Sequence, residues 1–177
     1  MTARSGPTGY SGLSILVHWL TAMLVIALFV THEGDRGSAA QAFHVGGGAI
    51  AGLFLLWRVW HRARHGLPEP GGQAAIFNVA SRIVFIGFLA AIVAVVVTGY
   101  LLPRSLGRPL DIYGLVAIPS PLPRMPWLHT LSEDVHDIAG HLFIPLLGLH
   151  LLGAAKHAFV DRDGIAMRIF RPVRGGR

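Results

Sequence analysis

The sequence predicts an all-α integral membrane protein, a four-helix transmembrane bundle. Three observations predict it. Of 177 residues, 53% are hydrophobic and 14% are charged, against about 45–50% and about 25% in ordinary soluble domains. Four apolar runs are each long enough to cross a hydrocarbon core of about 30 Å at about 1.5 Å of rise per residue. Ten histidines lie in this apolar chain, and cysteine is absent. The lack of cysteine excludes disulfides, iron–sulfur clusters, covalently attached c-type haem and thiol catalysis.

The first span is predicted over residues 13–30. Its apolar core is too long for a signal peptide and no small-x-small cleavage site follows, so it reads as an uncleaved span. A short turn over His32–Ala40 carries Glu33, Asp35 and Arg36. The second span is expected over 43–60, followed by a Pro/Gly link at Gly66–Gly72. The third covers 74–102, holds no histidine, and carries Gly87 and Gly99 for close helix contact. Pro103–Asp134 reads as one long connection, broken by Pro109, Pro119, Pro121, Pro123 and Pro126. The fourth span is expected over 135–160. In lipid each backbone polar group needs an internal partner, so all four runs should be helices. Residues 1–177 read as a single domain.

The formal net charge is +6. In a soluble protein this would point to nucleic acid. Here the basic residues flank apolar spans, so bilayer topology explains them and no nucleic-acid partner is expected. Eleven of the fifteen fall on one side: Arg4, Arg58, Arg62, Arg64, Arg82, Lys156, Arg162, Arg168, Arg171, Arg174 and Arg177. The positive-inside rule then puts both termini in the cytoplasm of a multi-pass membrane protein.

The histidines divide by position. His61 and His65 lie among arginines at a span end, and His32 and His129 read as loop residues; all four suit a solvated interface. His18, His44, His136, His141, His150 and His157 lie in or at the ends of spans, where an ionisable group is costly and usually functional. The plainer alternative for any one of them is an interhelical hydrogen bond. Depth sorts them further. His18 and His150 fall in the cytoplasmic half; His44 and His136 fall in the outer half. His136 and His150 are close to four helical turns apart, so they share a face about 21 Å apart along the axis. His141 points away from His136 and reads as a packing or hydrogen-bonding residue.

Small residues follow the same four histidines at i+3 and i+4: Thr21 and Ala22, Gly47 and Gly48, Ala139 and Gly140, Gly153 and Ala154. A flat macrocycle on an axial histidine needs such neighbours. Neutral imidazole binds iron, zinc or copper. A zinc site gathers three or four ligands at one point, which two pairs about 21 Å apart cannot do. Two trans histidines per site is instead the pattern of six-coordinate haem, suited to electron transfer. Without Cys-x-x-Cys-His it would be non-covalent b type.

Several segments carry a family resemblance: Ser14-Ile-Leu-Val-His18-Trp19, Phe43-His44-Val45-Gly46, Gly107-Arg-Pro-Leu-Asp-Ile-Tyr-Gly114, His136-x13-His150, Lys156-His157 and Asp161-Arg-Asp-Gly164. Over nearly its whole length the chain resembles the bacterial cytochrome b561 family of small dihaem membrane cytochromes. The resemblance implies two haem b groups in the bacterial inner membrane. His18 with His150 would hold the cytoplasmic haem, and His44 with His136 the periplasmic one. Some family members oxidise superoxide outside and reduce ubiquinone. Others are electron-transfer subunits linking quinone to a partner dehydrogenase or hydrogenase. With no large soluble extension, this sequence is more similar to the stand-alone kind, so the expected activity is superoxide:ubiquinone oxidoreductase.

On that reading, Arg104, Arg108 and Arg124, with Tyr113 and Trp127 nearby, attract superoxide or anchor haem propionates, opposed by Asp111, Glu133, Asp134 and Asp137. Arg82 either binds a propionate or simply obeys the charge rule. Lys156 and His157 are candidate quinone contacts, with His157 or Asp161 relaying protons. The alternative is that Lys156 snorkels to headgroups and His157 is interfacial. A third reading, a haem-free metal or proton transporter, has little support. Acidic residues are missing from mid-span and the histidines form no single path.

Overall fold

The computed structural model describes residues 10–65 and 74–171. Four long helices cross in sequence order: α1 (Gly12–Val30), α2 (Ala39–Arg64), α3 (Ala75–Arg104) and α4 (Pro126–Asp161). All four are long and apolar enough to span a bilayer. The Gly66–Gly72 link and Arg4, Arg174 and Arg177 lie outside the described residues.

Each helix has a local reason to begin where it does. The Ser11 hydroxyl accepts from the Ser14 amide at 3.2 Å and caps α1. Ser38 does the same for α2 through Gln41 at 3.1 Å. Pro126 opens α4 at its first turn, where a missing N–H costs nothing. Helix α4 therefore starts nine residues before the apolar run it contains, because its first turns are polar and escape a hydropathy reading. His129 accordingly lies on α4, not in a loop, and donates its Nδ1–H to the Leu102 carbonyl at 3.1 Å.

The connection from α3 to α4 contains a β-hairpin, β1 (Leu110–Ile112) against β2 (Val116–Ile118), antiparallel with Leu110 opposite Ile118. Its turn places Tyr113 and Gly114 at φ 57° and 70°, the left-handed pair that a tight hairpin turn requires. The hairpin marks one end of the bundle, called here the hairpin end.

The core joins Leu55 of α2, Ala91, Ile92 and Val96 of α3, and Phe143 of α4. Close approach depends on glycine. A Cβ on Gly52 would meet Val96 Cγ1 at 2.9 Å, and one on Gly87 would meet Leu146 Cδ2 at 2.9 Å. Helix α1 stands further off; Thr21 is its one buried residue. Large apolar side chains such as Leu13, Leu53 and Ile76 are about two-thirds exposed or more, which is tolerable only against lipid.

Candidate functional site

At the hairpin end the rings of His44 and His136 have centres 6.0 Å apart and planes at 82°. His44 sits in a π turn, Phe43–Gly47, inside α2; such turns are frequent at functional sites. A carbonyl can only accept, so His44 donates Nδ1–H to Leu28 O at 2.8 Å. The Thr98 hydroxyl gives its hydrogen to Ala94 O at 2.6 Å and so accepts Nδ1–H of His136 at 3.0 Å. Leu28 O thus orients the His44 ring, and Thr98 Oγ1 together with the Val95 carbonyl orients that of His136, as outer-shell partners do for a metal-ligating imidazole.

At the opposite end His18 and His150 have ring centres 6.2 Å apart, with planes at 45°. Trp19 stands edge-on to His18 at 5.6 Å and Phe88 edge-on to His150 at 6.0 Å. Arg58 and Arg62 of α2 lie within electrostatic range of His18. Arg58 is half-buried and makes no ion pair among the described residues. The sequence reading took these two arginines as topology charges only. Their i, i+4 spacing was the available signal, but it does not say which face meets His18.

A cavity of about 300 Å³ adjoins the hairpin-end pair, lined by His44, His136, Gly140, Phe143, Val96 and Tyr100 among others. A Cβ added at Gly140 or at Gly153 would meet nothing within 4 Å, so the space beside His136 and His150 is open. Beside His44 the small residues serve differently. A Cβ on Gly47 would meet the Tyr113 hydroxyl at 2.9 Å; the hairpin packs onto the turn that carries His44. Tyr113 thus packs on the Gly46–Gly47 side of that turn while its side chain stays exposed.

Arg104 Nε is buried with no hydrogen-bond partner, and its guanidinium lies 5.8 Å from the ring of Tyr100. An unpaired buried donor of this kind points to an anionic group. A bond from metal to imidazole nitrogen is about 2 Å, so two trans imidazoles hold their ring centres about 6 Å apart. Both pairs meet that spacing. Histidine rings at that spacing, open space over Gly140 and Gly153, the unpartnered Arg104 Nε and Arg58 within electrostatic range of His18 fit a flat, carboxylate-bearing haem.

The other expected residues fall elsewhere. Arg82, Arg108 and Arg124 are exposed and join neither histidine pair. Lys156 and His157 lie in a second π turn, Lys156–Asp161, at the end of α4. Lys156 Nζ is 2.5 Å from Asp161 Oδ2 and 4.3 Å from the Phe77 ring centre. His157 Nδ1 is 2.7 Å from Asp163 Oδ2 and 3.4 Å from Asp161 Oδ2. Asp163 is a partner that the sequence reading missed. Its carboxylate is held below its ordinary range, first by the Ile165 amide and then by His157. The indole N–H of Trp19 donates to Ile169 O at 3.3 Å and the ring packs on Phe170 at 5.6 Å. The segment after α4 is thereby pinned beside His18.

Sequence comparison agrees with this architecture. The family described as "Prokaryotic cytochrome b561" matches residues 9–172. The chain belongs to the prokaryotic cytochrome b561 family. This cytochrome b561 is similar to "Cytochrome b561 homolog 2" of Escherichia coli (strain K12). The two are 23% identical over 180 residues, covering 96% of this chain and 95% of that protein. Membership makes it a b-type haem electron-transfer protein of the inner membrane, crossing the bilayer several times.

Proposed function

We propose that this cytochrome b561 holds two b haems, one between His44 and His136 and one between His18 and His150. We further propose that it oxidises superoxide at a periplasmic face and reduces ubiquinone at a cytoplasmic face. One observation carries the reading. His136 and His150, on a single helix, each meet a histidine of a different helix at ring spacings of 6.0 and 6.2 Å.

When bound, b haem with two imidazole ligands supplies one-electron chemistry and leaves no position for oxygen. His44 with His136 would hold one haem, and His18 with His150 the other. Leu28 and Thr98 orient the rings of His44 and His136 through Nδ1. Arg104 at one end and Arg58 with Arg62 at the other take carboxylates. Their charges suit that role, since an arginine left half-buried and unpaired is costly.

The hairpin end faces the periplasm, because eleven of fifteen basic residues belong to the other side. There the exposed Arg108 and Arg124 raise the local concentration of a small anion, an effect that salt weakens. Two superoxide ions are oxidised to two O2 for each ubiquinone, which takes up the two electrons and two protons. At the cytoplasmic end Lys156 donates a hydrogen bond to a quinone carbonyl. His157 hands over a proton, and Asp161 and Asp163 hold it in place to be recharged from water.

The test is a reduced-minus-oxidised visible spectrum of the detergent-purified protein with haem counted per chain. Two haems are expected, with one lost in His18→Ala and one in His44→Ala. Stopped-flow mixing with superoxide and a ubiquinone then reads the activity. Protein without haem, given ample haem supply, would overturn the assignment. Two haems with no response to superoxide would leave a subunit that passes electrons between quinone and a partner dehydrogenase or hydrogenase.

A further inference from the structure

A third histidine pair lies beside the hairpin-end cavity. His32, in the turn after α1, and His141, on α4, have ring centres 5.7 Å apart with planes at 82°. Both line the cavity, as do Glu133 and Asp137. Their nitrogens are arranged like those of His44. His32 donates Nδ1–H to Phe29 O and His141 donates Nδ1–H to Asp137 O at 3.0 Å. Neither Nε2 makes a hydrogen bond among the described residues. Phe29 stacks on His32 at 5.0 Å and stands edge-on to His141 at 6.1 Å, which limits how far either ring can turn. The Glu33 carboxylate is 3.9 Å from His32 Nε2.

From this geometry we infer a site for a divalent transition-metal ion, with Nε2 of His32 and Nε2 of His141 as its two protein ligands and water completing the shell. Imidazole nitrogen selects zinc, copper or nickel over magnesium and calcium. Ring centres 5.7 Å apart suit two imidazoles on one ion, given bonds of about 2.0–2.1 Å. The carbonyls at Nδ1 orient and polarise the rings as outer-shell partners do in metal sites. His32 and His141 keep 30% and 51% side-chain exposure, so an ion reaches them from water. A bound ion ties the α1–α2 turn to α4, the two sides of the cavity. The inference rests on these two rings alone and not on haem ligation by His44 and His136. Among the described residues, three ligand atoms within 4.8 Å of one another occur at His157, Asp161 and Asp163, but there the Lys156 ammonium already occupies Asp161.

The test uses the full chain with its haem, in detergent, and Zn2+ or Cu2+ as the sole addition. Calorimetry is expected to give one tight Zn2+ per chain, with affinity at least tenfold weaker in His32→Ala and in His141→Ala. Cu2+ resonance spectra should show hyperfine splitting from two imidazole nitrogens, reduced to one in either variant. Zn2+ should raise the melting temperature of the wild type and not of the double variant. The haem spectrum should be unchanged in both single variants. Equal Zn2+ binding by wild type and the double variant would overturn the proposal. So would Zn2+ binding abolished by His157→Ala. Loss of haem from His32→Asn and His141→Asn, with no effect on Zn2+, would also overturn it, by assigning the rings to the haem cavity.

Discussion

Thr98 is the residue on which the hairpin-end pair most depends. It is buried, its hydroxyl hydrogen is committed to Ala94, and only its lone pair is left for His136. Thr98→Val keeps the shape and removes the acceptor. Haem affinity at that pair should fall about 10–100-fold, the usual cost of losing an outer-shell partner; haem titration of the apoprotein checks it, and unchanged affinity would show that the Val95 carbonyl suffices to orient the ring. Asp163 makes a pH prediction. Its folded carboxyl is depressed by the Ile165 amide and by His157, so its contribution is present above the ordinary carboxylate pKa. That contribution is lost as pH falls through the lowered value. Hydrogen exchange over residues 163–170, corrected for intrinsic rates, should rise on acidification in the wild type and be raised already at neutral pH in Asp163→Asn. The four histidines were legible because their levels follow from chain position alone. Thr98 was not, since 38 residues separate it from His136 and nothing local pairs them.

At the scale of elements, glycine marks two opposite situations. Gly52 and Gly87 sit where helices touch; Gly140 and Gly153 sit where they do not. Gly52→Leu overpacks the α2–α3 crossing and should cost about 1–3 kcal/mol or more, read as a lower melting temperature of the apoprotein. Gly140→Leu should leave apoprotein stability nearly unchanged and lower haem content, because the side chain enters open space beside His136. Equal thermal losses in both variants would contradict the cavity assignment. The sequence pattern showed small residues after each of the four histidines but could not separate these cases. Spacing along one helix says nothing about how near the next helix comes. The π turns were equally hidden, since each differs from α-helix by one shifted backbone bond. Yet one carries His44 and the other gathers Lys156, His157 and Asp161.

At the scale of the molecule the two ends differ electrically. Arg58 and Arg62 lie within electrostatic range of His18, while His44 and His136 are polarised by hydrogen bonds at Nδ1. Positive charge favours a reduced iron, and a more basic imidazole favours an oxidised one. Redox titration should resolve two midpoints, the higher at His18 and His150, which favours electron flow from the hairpin end to the opposite end. Arg58→Gln should lower that midpoint and leave the other in place; a shift of both, or of the wrong one, would remove the gradient. A reporter fused to the C-terminus should be cytoplasmic, as the charge bias requires.

The number of helices, their order and the levels of the four histidines were determined by the sequence. Lipid forces each long apolar run to satisfy its own backbone, and a 3.6-residue period makes His136 and His150 share a face. What only the tertiary structure decided lies between the helices. It put Leu28 and Thr98 at the ring nitrogens, Arg58 within electrostatic range of His18, Tyr113 against the His44 turn and His32 against His141. Those contacts depend on how closely neighbouring helices approach and how they are rotated. Side-chain packing sets both, and no local run of residues encodes it.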